Sequence, residues 1–370
     1  MCERRHRQKL DMKHVESKRM PNIELLRIIA MLMIMVLHYM NQGKILNHVK
    51  PGQGGYYLIW VIEGICYISV NCYMIISGFF GWKSEFRWKR ILNLYAEVWF
   101  YTILLTIAAV VTGLETVTPG RILELLPVLS RNNWYVTVYF AICILMPILN
   151  TAVRTLSRKA IRSVIVVLFI LFSVVPTLLF PADPFGIASG SSILWYVFVY
   201  LTGAYIGKYG FHIPKYLYLL MGVSVLVIPA SKFLVDYCQR RYGILSGYGY
   251  FMYRYNSIPA FLASVAFFMM FLKIDNSKIR MAETVNRIGG TTFGIFYIHS
   301  FVLIRDHLWV GLGSLRYENP YRLLLWGGMI IIAVFAVCCV IDLSRKQLFL
   351  LFDSCLTRAA ECLEHLVPLR

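Results

Sequence analysis

Long apolar stretches recur along the whole chain, and they constrain its fold more than any other feature. Crossing the hydrocarbon core of a bilayer takes about 20 apolar residues in a helix, and only helices or closed barrels satisfy their backbone groups there. The spacing therefore predicts an all-α polytopic membrane protein, a bundle of about ten transmembrane helices. The ten candidate spans are residues 22–40, 57–80, 91–112, 134–151, 163–180, 192–208, 215–231, 257–273, 288–304 and 322–343.

The composition agrees with a membrane protein. Hydrophobic residues make up 58% of the chain and charged residues 15%, against about 25% charged residues in a soluble domain. A net charge of +18 would suggest nucleic acid as the partner of a soluble chain. Here the charges fall between the apolar stretches, so we expect the lipid bilayer and no nucleic acid. The nine cysteines show no metal-ligand spacing, and we expect no metal.

The distribution of basic residues predicts the orientation. With the N-terminus in the cytoplasm, 26 of the 37 Lys and Arg residues fall on inner segments and 11 on outer ones, which is the positive-inside bias. We therefore expect a multi-pass protein of the plasma or inner membrane with both termini cytoplasmic. The predicted divisions are a basic cytoplasmic tail over 1–20, a ten-helix membrane domain over 21–343, and a cytoplasmic C-terminal tail over 344–370.

The first span carries ionisable residues, which are costly in lipid and usually face a cavity or a partner. Arg27 and His38 are 11 residues apart, so they share a helix face and lie about 16 Å apart along the axis at 1.5 Å per residue. Glu24 precedes Arg27 by three residues and can pair with it. The alternative is an arginine that extends to the interface and a histidine that is hydrogen-bonded for structural reasons.

The segment Arg87-Trp88-Lys89-Arg90 lies at the start of the third span. Arg87 and Arg90 project together at this spacing, and paired guanidinium groups suit phosphate oxygens. The alternative is that membrane topology alone places basic residues at an inner helix end.

Other spans carry isolated ionisable residues. His299 lies in the ninth span after a run of small residues that begins at Gly289 and allows close packing or approach of a ligand; it is either a structural or a working histidine. Glu63, Glu97 and Asp342 have no role that the sequence decides. The chain contains no P-loop, no Gly-x-Ser-x-Gly elbow and no His-x-x-x-x-Asp box.

Several short motifs follow one another over most of residues 19–345, and together they resemble the acyltransferase type 3 family of membrane acyltransferases. The family usually has Asp where this chain has Glu24, and a Glu-x-Pro ending where this chain has Asp342-Leu343-Ser344. The matching motifs are Glu24-x-x-Arg27 followed by His38, Ser77-Gly78-Phe79, Arg87-x-x-Arg90, Asn133-Trp134-Tyr135 leading to Met146-Pro147, Leu201-Thr202-Gly203-Ala204, and the segment ending Tyr297-Ile298-His299, which is close to a Tyr-x-x-His signature.

The resemblance implies transfer of an acyl group, most often acetyl from acetyl-CoA, to a sugar hydroxyl of a cell-envelope glycan or lipid-linked precursor. It implies a stand-alone form, because the chain ends too early for the SGNH hydrolase-like domain of some relatives. The implied residues are His38, Arg27 and Glu24 for catalysis, Arg87, Arg90 and Lys89 for the acyl-CoA, and His299, Tyr297 and Trp134 in support. A transporter or flippase, in which buried charges line a substrate path, is the alternative from another class, and an acyltransferase-like sensor is a third.

Overall fold

The apolar stretches form helices, which confirms the predicted all-α fold class. The computed structural model describes residues 19–116, 118, 126, 128, 133–210 and 215–367, and this part of the chain contains no strand. Residues 1–18 of the predicted N-terminal tail and residues 368–370 lie outside the described residues. The helices are α1 Pro21–Asn41, α2 Gly54–Cys66, α3 Ser69–Gly81, α4 Trp88–Val111, α5 Trp134–Thr155, α6 Arg158–Leu178, α7 Ile193–Tyr209, α8 Leu217–Tyr242, α9 Ile258–Leu272, α10 Ala282–Gly289, α11 Thr292–Ser300, α12 Val302–Gly311 and α13 Pro320–Leu366.

Local capping signals explain where several helices begin. The hydroxyls of Ser157, Ser192 and Ser257 each accept a hydrogen bond from a backbone amide of the first turn of α6, α7 and α9, as N-cap residues do. The side chain of Asn319 accepts two such bonds at the start of α13. Proline occupies the first turn of some helices, as at Pro21 of α1. A backbone N–H at this position has no partner within the helix, so its absence costs nothing.

Within the described residues, seven helical segments are long and apolar enough to cross a membrane, fewer than the ten predicted. α2 and α3 count as one of them, Gly54–Gly81. The other predicted spans correspond to α7 with 17 residues, α9 with 15, and the short helices α10, α11 and α12. α7 and α11 are buried on nearly all sides, which is typical of apolar helices surrounded by protein.

The ninth predicted span, 288–304, is not one helix, and that expectation is wrong. α10 ends at Gly289, α11 occupies Thr292–Ser300, and α12 begins at Val302 after the extended backbone of Phe301. Gly289 and Gly290 lie at the first break, because glycine is a poor helix former. The broken path brings His299 to the end of a short helix whose backbone is covered by its neighbours rather than by lipid.

Two predicted span ends also differ from the structure. The seventh span was expected to end at 231, but α8 continues to Tyr242. The tenth was expected to end at 343, but α13 continues without a break to Leu366 over 47 residues. Its length is about 70 Å at 1.5 Å per residue, well beyond the hydrocarbon core of about 30 Å. Hydropathy predicts the end of the apolar stretch and not the end of the helix, because the backbone hydrogen bonds of a helix can continue into a polar segment.

Glycines hold α3 and α7 in close contact at the centre of the bundle. A Cβ atom at Gly203 would overlap the carbonyl oxygen of Ile75, and one at Gly78 would overlap the carbonyl oxygen of Tyr200. Gly207, four residues after Gly203, meets Phe79 in the same way. Small residues spaced by four let two helix backbones approach each other. This contact fixes α3, which forms one wall of the cavity described next.

Candidate active site

A cavity of about 160 Å³ lies between α1, α3, α5 and α11, and we call it the chamber. α1 lines it from Arg27 through Met31 and Ile34 to His38, and Gln42, the first residue after α1, extends this wall. The wall is about 22 Å long at 1.5 Å per residue. Arg27 and His38 therefore share one face of α1, as their spacing requires, and that face is turned to a cavity. We call the end of the bundle that carries Arg27 and Arg87 the Arg87 end. The opposite end, which carries Gln42 and Trp134, is the Trp134 end.

Arg27 is held at its end of the chamber by neighbouring charges. Its Nε lies 3.8 Å from Oε1 of Glu24, the pairing that their spacing predicts, and Glu24 also meets Arg19 at 3.4 Å. Tyr73 of α3 donates a hydrogen bond of 2.5 Å to the backbone oxygen of Arg27. The Arg27 Nε is shielded from solvent and has no hydrogen-bond partner among the described residues. Arg27 also lines the chamber, so its guanidinium places a positive charge at this end, next to the Glu24 carboxylate.

His38 contacts a second histidine from a distant part of the chain. Its Nδ1 lies 3.0 Å from Nε2 of His299, and the two rings are 5.0 Å apart. His299 is fully buried, and its Nδ1 lies 2.6 Å from the carbonyl oxygen of Ile295. His38 is only partly buried and lines the chamber. Because its Nδ1 is occupied, only its Nε2 is free to act on a group bound there.

The Trp134 end of the chamber has aromatic walls and a few polar groups. Trp134 lies with its ring 5.8 Å from Tyr255 and 6.0 Å from Tyr196. Asn133 donates a hydrogen bond of 2.9 Å to the hydroxyl of Ser300, which ties the start of α5 to α11. Gln42 also lines the chamber. Ligand sites commonly combine apolar and aromatic walls with a few polar groups of this kind.

Tyr297 belongs to the predicted set but does not line the chamber. Its hydroxyl lies 2.7 Å from that of Thr102, and its ring stacks on Tyr101 of α4 at 6.1 Å. Phe296 and Ser300, its neighbours on α11, face the chamber instead. Tyr297 therefore anchors α11 to α4 on the side opposite to the chamber.

The three basic side chains at the start of α4 do not all face the same cavity. Arg87 and Arg90 line a small cavity of about 10 Å³, and Arg87 also lines a groove of about 1160 Å³ together with Arg154. Lys89 points elsewhere and pairs with Asp353 of α13 at 2.9 Å. The structure brings Arg87 and Arg90 together, as predicted, and does not bring Lys89 to the same cavity.

One helix connects the small cavity with the chamber. Cys143 of α5 lines the cavity that holds Arg87 and Arg90. Tyr139, one turn earlier on α5, lines the chamber together with Arg27. The two basic groups therefore face neighbouring turns of the same helix.

Glu97, Asp342 and two cations of α13 form a charged network beside α11. Arg345 of α13 lies 3.1 Å from Glu97 and 2.9 Å from Asp342, and Lys346 lies 3.3 Å from Asp342. Two carboxylates and two cations balance in charge, as buried ions require. Glu63 is buried elsewhere, and its Oε2 has no hydrogen-bond partner among the described residues.

Two chamber residues, Tyr139 and Arg305, were not among the predicted site residues. Tyr139 lies four residues after Tyr135 of the Asn133-Trp134-Tyr135 motif, which is the spacing of one helix face, so that spacing was a usable signal. Arg305 lies on α12, beyond the break at Phe301. Its position beside His38 could not be predicted without knowing where the ninth span is interrupted.

Comparison with protein families gives one match. Residues 20–345 match the family model described as an acyltransferase domain, that of the acyltransferase type 3 family. The matched segment contains every residue of the chamber described above. No curated protein and no solved structure matches the chain.

Proposed function

We propose, from the premise that this chain belongs to the acyltransferase type 3 family and is a membrane acyltransferase, that it transfers acetyl from acetyl-CoA to a hydroxyl of a cell-surface polysaccharide or lipid-linked sugar precursor. The observation that carries the proposal is the chamber, which holds the guanidinium of Arg27 toward one end and the imidazole of His38 toward the other. Transfer from an anionic thioester to a hydroxyl needs a cation that binds the donor and a base that takes the proton of the acceptor.

The basic groups at the Arg87 end support CoA as the donor. CoA carries a pyrophosphate and a 3′-phosphate, and planar guanidinium groups match phosphate oxygens better than ammonium groups do. Arg87 and Arg90 share a cavity, and the guanidinium of Arg27 lines the chamber that neighbours it along α5. We assign the phosphates to Arg87 and Arg90, and we leave Lys89 out of the assignment because Asp353 neutralises it.

The separation of Arg27 and His38 along α1 suits the length of the donor's arm. A pantetheine arm that starts at Arg87 and Arg90 would follow α5 past Cys143 and Tyr139 into the chamber. Arg27 and His38 are separated by 11 residues of α1, about 16 Å at 1.5 Å per residue, which is on the scale of that arm. The thioester would then meet the acceptor beside His38.

His38 would act as the general base. A neutral imidazole accepts a proton at pH 7, since its ordinary pKa is near 6.5. As the acceptor oxygen bonds to the acetyl carbon, its proton moves to Nε2 of His38. The bond from carbon to sulfur then breaks, and His38 returns the proton to the departing thiolate. Atoms and charges balance without a metal or a redox partner.

The Trp134 end supports a sugar acceptor. Trp134 and Tyr255 present aromatic rings to the chamber, and Gln42 and Asn133 add hydrogen-bonding groups beside them. Rings of this kind pack on the apolar faces of a sugar, while amides bond to its hydroxyls. The bias of basic residues toward the Arg87 end supports a cytoplasmic donor site there, with the acceptor entering from the opposite end.

The test is transfer of labelled acetyl by the purified protein in lipid nanodiscs. We expect label from acetyl-CoA to appear in envelope glycan or lipid-linked precursor extracted from cells that lack the gene. The matched control is the His38→Ala protein at equal concentration, which should transfer almost no label. A folded parent protein that transfers no label from the thioester, but moves the unmodified precursor across vesicles, would establish a transporter and overturn the proposal.

A further inference from the structure

The two imidazoles beside the chamber form a directed chain of hydrogen bonds. The carbonyl oxygen of Ile295 lies 2.6 Å from Nδ1 of His299, and Nε2 of His299 lies 3.0 Å from Nδ1 of His38. Both distances are within the range of true hydrogen bonds. The chain ends at Nε2 of His38, which is the ring nitrogen that remains for the chamber.

The chemistry of the first group in this chain fixes the protons of all the others. A carbonyl oxygen can only accept, so Nδ1 of His299 must carry a proton and donate it. In a neutral His299 the Nε2 is then a lone pair, which can only accept from His38. Nδ1 of His38 must therefore carry its proton, and Nε2 of His38 must be unprotonated. That tautomer is the one that a general base requires.

The structure holds His299 rigidly enough to fix this arrangement. Its side chain is fully buried, and its ring lies 6.1 Å from Trp309 and 6.1 Å from Phe296, nearly perpendicular to the latter. α11 ends one residue later at Ser300, whose hydroxyl is tied to Asn133. The ring therefore has little room to turn away from Ile295.

We propose that His299 is a positioning residue that keeps His38 in the tautomer with a free Nε2; this rests on the proposed acyl transfer, in which that nitrogen takes the acceptor's proton. After the transfer His38 carries protons on both nitrogens, and its Nδ1–H still donates to His299. When Nε2 gives its proton to the thiolate, His38 returns to the same tautomer. His299 itself neither gains nor loses a proton.

Two variants of His299 separate tautomer control from simple packing. In His299→Gln the amide oxygen can occupy the place of Nε2 and accept from His38, although the bond to Ile295 is lost. In His299→Asn the shorter amide can keep the bond to Ile295 but does not reach His38. We expect His299→Gln to retain most of the parent turnover. His299→Asn should lose about 10²-fold or more in kcat, the low end of what a positioned base contributes, with the KM for acetyl-CoA unchanged.

A spectroscopic measurement on the parent protein tests the tautomer without any variant of His299. Nitrogen-15 shifts of labelled histidines in nanodiscs distinguish a protonated from an unprotonated ring nitrogen, and His38→Gln identifies which signals belong to His38. The expected spectrum shows His38 protonated at Nδ1 and bare at Nε2. A spectrum with His38 protonated at Nε2 overturns the proposal, and so does an equal loss of kcat in the two His299 variants. A failure of the parent to transfer acetyl contradicts the proposed function, whereas the spectrum still decides the tautomer.

Discussion

The carboxylate of Asp342 lies directly against the backbone of Gly294, so that a Cβ atom at Gly294 would overlap its Oδ1. Asp342 is fully buried on α13 and is fixed by a hydrogen bond of 2.7 Å from Tyr101 and by Arg345 at 2.9 Å. The carboxylate therefore has little freedom to move. Gly294 lies on α11, five residues before His299, so the charged network of α13 sets the position of the helix that carries the histidine.

Gly294→Ala should destabilise the protein and lower its activity. The added methyl group must displace a carboxylate that three groups hold, and overpacking of this kind costs about 1–3 kcal/mol. Thermal unfolding in nanodiscs measures the change. Gly328→Ala on α13 is the matched control, since nothing lies within 4 Å of its Cβ position, and a glycine in a helix gains up to about 1 kcal/mol when replaced by alanine. Equal melting temperatures for the two variants would contradict the described contact.

His38→Ala should nearly abolish acetyl transfer while leaving membrane insertion and CoA binding intact. A positioned general base contributes about 10²–10⁴-fold in rate, and no other imidazole lines the chamber within the described residues. His38→Gln should be similarly inactive, because an amide cannot take the proton. The measurement is turnover of purified, folded variants.

The control for His38 is His48→Ala, at an exposed histidine that lies outside the chamber. It should retain parental turnover. A His38→Ala protein that keeps even a third of parental turnover would rule out the base assignment and leave His38 as a structural histidine.

Arg87→Ala and Arg90→Ala should each weaken CoA binding, as measured by calorimetry. Lysine at either position should restore binding only in part, because an ammonium group cannot bind a phosphate through two parallel hydrogen bonds. Lys83→Ala removes a charge from the same segment at an exposed position outside both cavities, so it should bind CoA as the parent does. If all three variants bound equally, membrane topology alone would explain the basic motif.

Trp134→Ala should raise the KM for the acceptor and leave CoA binding unchanged. The indole forms part of the aromatic wall at the acceptor end, and Trp134→Phe should recover part of the loss because a smaller ring keeps the stacking surface. Tyr321→Ala, at a side chain that is 73% exposed, provides a control at the same end of the bundle. An unchanged acceptor KM in Trp134→Ala would remove this residue from the acceptor site.

The orientation is tested by labelling of single cysteines in intact cells. In a cysteine-free background, Ser246→Cys between α8 and α9 should react with an impermeant reagent, and Ser84→Cys should react only after the membrane is opened. The reason is the excess of basic residues on the segments that include 81–90. Labelling of Ser84→Cys in intact cells would show that this segment faces the outside and would contradict the proposed topology.

The sequence predicted which residues lie together wherever both residues belong to the same helix. Arg27 and His38 share a face because both lie on α1, and a helix repeats its faces at fixed intervals. The spacing of Glu24 and Arg27 gave their contact for the same reason. Gly289 and Gly290 also carried a usable signal for the break before α11, but the average hydropathy of the stretch concealed it.

Relationships between distant segments had no such signal. Lys89 belongs to a basic motif by sequence, yet Asp353 neutralises it because α13 continues past the membrane and reaches the start of α4. The break between α2 and α3 at Tyr67 and Ile68 contains no glycine or proline, so it follows from packing and not from local preference.

By itself, the sequence determined the helical fold class, the membrane environment and the family, together with the face of α1 that carries Arg27 and His38. The fold class, the environment and the shared face depend on composition and on periodicities within one segment, whereas the family follows from the order of several short motifs along the chain. Only the tertiary structure decided that His299 meets His38, since 261 residues separate them. Their contact depends on the helix breaks on either side of α11, on the packing of α13 against it, and on the position of Asp342 against Gly294. Each of these conditions involves a different part of the chain.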